Sequence, residues 1–169
     1  MNLVAGPREQ CMRTAGSLVT ELGVRFGRGG FTIDGAASLE NTHARYYFSK
    51  DHSALDHPWR QEHALDAGTP RPWGTGSESV FVNPPYNNIA PFVDHAIEQI
   101  KNPAIAVIVM LLPNREHLWR ERCRMYGTIY PVRRRIWFKT PEGLFAKRPS
   151  ESSIVVVFRK PLDAKDYRT

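Results

Sequence analysis

The run Val80-Phe81-Val82 followed by Asn83-Pro84-Pro85-Tyr86 constrains this chain more than any other stretch. Val and Phe fit a pleated surface covered by other chain, so the run predicts a buried strand. Proline has no backbone N–H to give to a ladder, and two in succession stop the strand at Asn83. The residue before a proline is held in extended geometry, which puts Asn83 at the carboxyl edge of a sheet. In open α/β sheets that edge is where ligands bind. Tyr86 then projects from a rigid turn into the same space. An amide, fixed carbonyls and an aromatic face suit a flat base with an exocyclic amine. The plainer reading is a turn residue before two prolines and a half-buried aromatic, and the tetrapeptide alone does not separate the two.

The flanking chain supplies a sheet for this strand to join. Met12, Ala15, Leu18, Val19 and Leu22 recur at helical spacing and predict a helix over Cys11–Leu22, ended by Gly23 and the Gly27-Arg28-Gly29-Gly30 loop. Phe31-Thr32-Ile33-Asp34 reads as a short strand followed at once by Gly35-Ala36-Ala37-Ser38. Small residues after a strand let the backbone pass close to a ligand, and Asp34 places a carboxylate there, although the same carboxylate also suits simple capping of the turn. Tyr46-Tyr47-Phe48 reads as a short strand or an aromatic plug within an irregular region from Glu40 to Gly76, where Leu55 and Trp59 pin an ordered loop. His43, His52, His57 and His63 have no zinc-motif spacing with cysteines and are read as loop histidines, so no metal site is expected.

After the central turn, Ile89 to Ile100 carries apolar residues at helical spacing with Pro91 in the first turn. Ala104 to Leu112 is a near-continuous apolar run ending at Pro113, the look of a strand covered on both faces. Strand, helix and strand in this order imply a right-handed parallel crossover. Asn114 is placed to cap a helix from Arg115 to Tyr126 that Gly127 ends. Thr128–Val132, Arg135–Phe138 and Ile154–Phe158 are further strands. The expectation is a single α/β domain over 1–169 with a parallel centre and antiparallel C-terminal strands, a flexible arm at 1–9 and a frayed tail at 162–169.

Charge says something about partners. The net charge of +6 favours a polyanion, and much of the excess lies between Arg115 and Arg148. Arg133, Arg134 and Arg135 are the expected phosphate contacts. No apolar run approaches the roughly 20 residues of a membrane span, and the N-terminus lacks a signal-peptide pattern. Cys11 and Cys123 show no disulfide or metal spacing, so a reducing cytoplasm is the expected setting, with no membrane and no obligate protein partner.

Asn83-Pro84-Pro85-Tyr86 at a strand end resembles the catalytic motif of amino-methyltransferases that use S-adenosylmethionine, a string shared by enzymes that methylate adenine, guanine or glutamine amides. More of the chain narrows the likeness. Thr14, Ile33 to Ser38, Glu40-Asn41, Arg45 to Phe48, Leu55 with Trp59, Val82 to Tyr86, Pro91-Phe92-Val93, Val109 to Pro113, Trp119, Arg135 to Phe138 and the final strand follow one pattern in order. It is similar to that of the phage-type DNA N-6-adenine methyltransferase (Dam) family. The resemblance implies a class I, Rossmann-like methyltransferase sheet, S-adenosylmethionine as methyl donor and adenine N6 in DNA as acceptor, in the cytoplasm of a bacterial host. It puts the cofactor against Thr14, Asp34, Gly35, Ala36, Ala37 and Asn83, makes Asn83, Pro84, Pro85 and Tyr86 catalytic, and sets DNA against Tyr86 and Arg133 to Arg135. Where larger methyltransferases carry a Phe-x-Gly-x-Gly loop this chain has Gly35-Ala36-Ala37, and Ala15 follows Thr14 where the pattern has Pro. Two rival readings share the motif: methylation of RNA or a protein glutamine, and a catalytically silent DNA-binding protein that keeps the fold.

Overall fold

The computed structural model describes residues 16–68, 77–132, 136 and 151–160. In chain order the elements are α1 Gly16–Phe26, β1 Ile33–Asp34, β2 Tyr46–Tyr47, a 3-10 turn Gln61–His63, β3 Leu65–Asp66, β4 Glu78–Val82, α2 Ile89–Gln99, β5 Ile105–Pro113, α3 Leu118–Tyr126, β6 Thr128–Pro131 and β7 Ser153–Arg159. β5 is the spine, because strand side chains alternate between faces and both of its faces are apolar. Ile108, Met110 and Leu112 join one buried cluster with α2 and α3, through Phe92, Val93, Ala96, Trp119 and Cys123. Val107, Val109 and Leu111 join the other, with Leu18, Val19, Leu22 and Phe26 of α1. The result is a sheet between two helical layers.

The seven strands run in the order β3-β2-β1-β4-β5-β7-β6. β1 pairs in parallel with β2 and β4, and β4 in parallel with β5, which matches the expected crossover through α2. β7 is antiparallel to β5 and to β6, which gives the late antiparallel part. β3, antiparallel to β2, was not foreseen; its two residues Leu65 and Asp66 carry no strand signal of their own.

Several boundaries differ from expectation for local reasons. α1 does not end at Gly23 but continues to Phe26. Gly23 is buried where the Gly27–Gly30 loop crosses the helix, and a Cβ there would lie 3.0 Å from Gly30 Cα, so its smallness serves packing. Asn114 does not cap α3, which starts four residues later after His117. The Asn114 N–H donates to the Ser152 carbonyl and its amide to Ser152 Oγ, so the chain stays extended alongside the start of β7. Cys11 to Ala15, the 1–9 arm, the 162–169 tail and the Arg135–Phe138 strand lie outside the described residues, except for Ile136, which is buried.

The irregular region after β2 is ordered by specific bonds. Trp59 is fully buried; its indole N–H donates to the Ala54 carbonyl and its backbone N–H to Gln99 Oε1 on α2. His52 and His57 stack on each other and on Phe48, and among the described residues no group of three or more His, Cys, Asp or Glu side chains is set to hold a metal. Glu78 at the start of β4 accepts from Thr32 Oγ1 at 2.7 Å and Gln61 Nε2 at 3.0 Å, tying the loop and β1 together. Burial pushes the Cys123 thiol up to about 12, against the opposing influence of Arg122, Arg120 and Arg124, so it packs as an apolar group. Trp59→Ala removes both a large buried side chain and the loop's anchor on α2; it should cost about 3–5 kcal/mol of unfolding free energy, read as a lower urea midpoint.

Candidate active site

The chain leaves β1 toward β2 and β3, then returns to β4 on the other side of β1 and continues to β5. The order therefore reverses between β1 and β4, and the crevice outside the carboxyl ends at such a point is the favoured ligand site of an open α/β sheet. Both turns singled out from the sequence start there. Ile33 pairs with Val80 and Asp34 with Phe81, and the Gly35 N–H continues the ladder to the Phe81 carbonyl at 2.7 Å. Asn83 follows β4 immediately, so the Asp34–Ala37 and Asn83–Tyr86 turns emerge side by side.

The first turn is held internally. Asp34 is only 2% exposed; its Oδ1 accepts from Ala36 N at 3.3 Å and its Oδ2 from His43 N at 3.0 Å. The Phe48 N–H donates to the Asp34 carbonyl and the Ala37 N–H to the Phe48 carbonyl, both at 2.9 Å. The Ser38 N–H donates to Asn41 Oδ1 at 2.6 Å. Asp34 thus does cap its turn. His43 and Phe48, which tie the turn through their backbone, were not foreseen as site residues. Residue type gave no signal for them, because both act through main-chain groups. Gly35 fits because a Cβ there would lie 2.8 Å from Val82 Cγ2. The first turn therefore rests directly on the last residue before Asn83.

In the second turn Pro84 is buried, and Asn83, Pro85 and Tyr86 are half-buried. The Asn88 N–H donates to the Pro85 carbonyl at 2.9 Å, closing four residues into one rigid turn. Tyr86 packs against the apolar clusters of both sheet faces, and Asn83 Oδ1 and Tyr86 Oη are shielded from solvent. The sequence-derived residues Asp34, Gly35, Ala36, Ala37, Asn83, Pro84, Pro85 and Tyr86 are thereby gathered at one edge. Thr14 and Arg133 to Arg135 lie outside the described residues; Val132, next to the arginines, bonds to Ser153, which pairs with Pro113 at this same edge of the sheet.

The basic residues around α3 are mostly answered by acids. Arg115 pairs with Glu151, Arg120 with Glu116, Arg122 with Asp94, and Arg124 with both Glu116 and Glu121. The hydrogen bond from Arg124 holds the Glu116 carboxyl below its ordinary range, with burial opposing. Around α3 the described charges are thus internally compensated; the later basic residues, Arg133 to Arg135 among them, lie outside the described residues.

An α/β sheet whose two ligand-edge turns meet at the strand-order reversal is compatible with a methyltransferase. The family model described as DNA N-6-adenine-methyltransferase (Dam) matches residues 5–166, and the chain belongs to that family. Membership implies DNA adenine methyltransferase activity. No curated protein matches the chain.

Two outcomes follow from this geometry. In Gly35→Ala the new methyl meets Val82, a fully buried and conformationally stiff side chain, so stability should fall by about 1–3 kcal/mol in urea titration. Combining it with Val82→Ala should leave the double variant more stable than the two separate losses add up to. Arg124→Ala should leave DNA affinity within about two-fold of the parent in fluorescence anisotropy, because that guanidinium is already paired on the surface.

Proposed function

We propose that this protein transfers a methyl group from S-adenosylmethionine to N6 of adenine in DNA, on a class I, Rossmann-like sheet. The observation that carries the reading is the locked adjacency of the Asp34–Ala37 and Asn83–Tyr86 turns, one suited to the donor and the other to the acceptor. The parallel centre and antiparallel C-terminal strands support the fold assignment.

The residues present fit a cationic sulfonium cofactor. The N–H groups of Gly35, Ala36, Ala37 and Ser38 are all bonded within the protein, so what the turn brings to the crevice is the negative charge of Asp34 beside small side chains. Such a lining favours positive charge. Thr14, Asp34, Gly35, Ala36, Ala37 and Asn83 are the residues that would hold it. When bound, S-adenosylmethionine supplies a methyl group made electrophilic by its sulfonium.

The protein's own task is to make a poor nucleophile competent. The lone pair on adenine N6 is delocalised into the ring. Asn83 Oδ1 and the Pro84 carbonyl, accepting the two amine hydrogens, favour a pyramidal nitrogen with its lone pair pointing outward. Attack is then direct, and no covalent enzyme intermediate is needed. Holding two reactants in line supplies several kcal/mol of the barrier, up to about 7–11 in favourable cases. Tyr86 stacks on the base, a contact typically worth about 1–3 kcal/mol. In duplex DNA the adenine is first extruded, at a cost of a few kcal/mol. Arg133, Arg134 and Arg135 hold phosphates in this reading, and the setting is the cytoplasm of a bacterial host carrying a phage or prophage.

Asn83→Ala should lower methyl transfer to DNA by about 100-fold or more, the usual loss on removing an aimed polar group. Folding by circular dichroism should stay close to the parent, and S-adenosylmethionine binding by calorimetry should be retained, weakened only by the share that Asn83 contributes. A variant that methylates DNA at near the parental rate sinks the assignment. Tritiated methyl transfer offered to DNA, RNA and protein side by side should label DNA, and label in RNA or protein instead would move the acceptor.

A further inference from the structure

The Pro85–Asn88 turn fixes two kinds of side chain to one rigid piece. Tyr86 is half-buried against both apolar layers, while Asn87, the next residue, is exposed, as is Asn88. The aromatic is thus held in the crevice and the amides at its rim. Asn88 occupies the N-cap position of α2, where Asn is among the best capping residues. Its side chain nevertheless makes no capping bond, and its backbone at φ −137°, ψ 37° lies outside the extended range that capping residues adopt. The helix forgoes that stabilisation, and the amide stays at the rim. The guanidinium groups of Arg115, Arg120, Arg122 and Arg124, by contrast, are held by Glu151, Glu116, Asp94 and Glu121.

Resting on the reaction above, we propose that Asn87, with Asn88 beside it, is a specificity-determining residue whose amide reads the edges of the bases flanking the methylated adenine. A carboxamide presents donor and acceptor in one plane, the pattern that complements N6 and N7 of adenine in the major groove. With the target base stacked on Tyr86, the neighbouring bases are the ones opposite the next residue of the same closed turn. Because the turn is rigid, the distance from reader to reacting base is fixed, and this converts a rim contact into a sequence preference.

Two readouts on the full chain test this. Fluorescence anisotropy with short duplexes that differ only beside one adenine reads recognition without turnover. Base-resolution sequencing of methylated adenine in mixed-sequence DNA reads it through the reaction. The parent should favour some flanks over others by about ten-fold, and Asn87→Ala should flatten this to about two-fold with the circular dichroism unchanged. Asn87→Asp, which only accepts when ionised, should shift the preference toward flanks that present the cytosine amino group. The proposal is overturned if Asn87→Ala keeps the parental preference, or if the parent binds all flanks equally. A parent whose binding preference Asn87→Ala removes, but which forms no N6-methyladenine, keeps the proposal and overturns the reaction it rests on.

Discussion

The parallel pairing of β1 with β4 is the constraint on which the site depends. β1 is only two residues long, too short to persist by itself. It is held by its surroundings: Ile33 is fully buried, the Thr32 N–H donates to the Ser79 carbonyl at 2.8 Å, and Thr32 Oγ1 reaches the buried Glu78. At the other end the Gly35 N–H closes the ladder on Phe81. Slipping this register by one residue would turn Ile33 out of its core and swing Asp34 away from His43. The two turns are thus set relative to each other by backbone bonds and core packing.

Much of this was legible in the sequence because the strongest signals were backbone rules. Two prolines after Val-Phe-Val leave few choices, and a nine-residue apolar run ending at Pro113 reads as a central strand on any scale. Gly35-Ala36-Ala37 stood out by smallness. What escaped depended on partners distant in sequence. Gly23 looked like a stop signal because glycine usually ends helices, but the approach of Gly30 decides its role. Asn114 looked like a cap, yet Ser152 claims both its backbone and its amide. The roles of His43 and Phe48 lie in main-chain groups, to which residue type is blind.

Charge, too, has to be read locally. A net +6 describes the far field of the molecule, whereas binding at a surface depends on which charges remain unanswered at short range. Arg115, Arg120, Arg122 and Arg124 lie close together in sequence but meet carboxylates on α2 (Asp94), on α3 (Glu121), just before α3 (Glu116) and just before β7 (Glu151). They brace α3 against its neighbours. A nucleic acid that bound there would have to displace those carboxylates first, which removes most of the electrostatic gain.

In the reaction proposed, the organisation of the two turns lets so small a sheet edge direct chemistry. Polar groups lower a barrier most when they are already aimed, since nothing then has to reorganise as charge moves. In the first turn the backbone donors are consumed by Phe81, Asp34, Phe48 and Asn41, so its shape does not wait for a ligand. In the second, two prolines and the Pro85–Asn88 bond remove backbone freedom that would otherwise have to be lost on each turnover. Both turns present acceptors. That polarity suits a reaction in which a cationic donor meets an amine whose hydrogens must be held, and it would oppose one that needed an oxyanion stabilised at the same place.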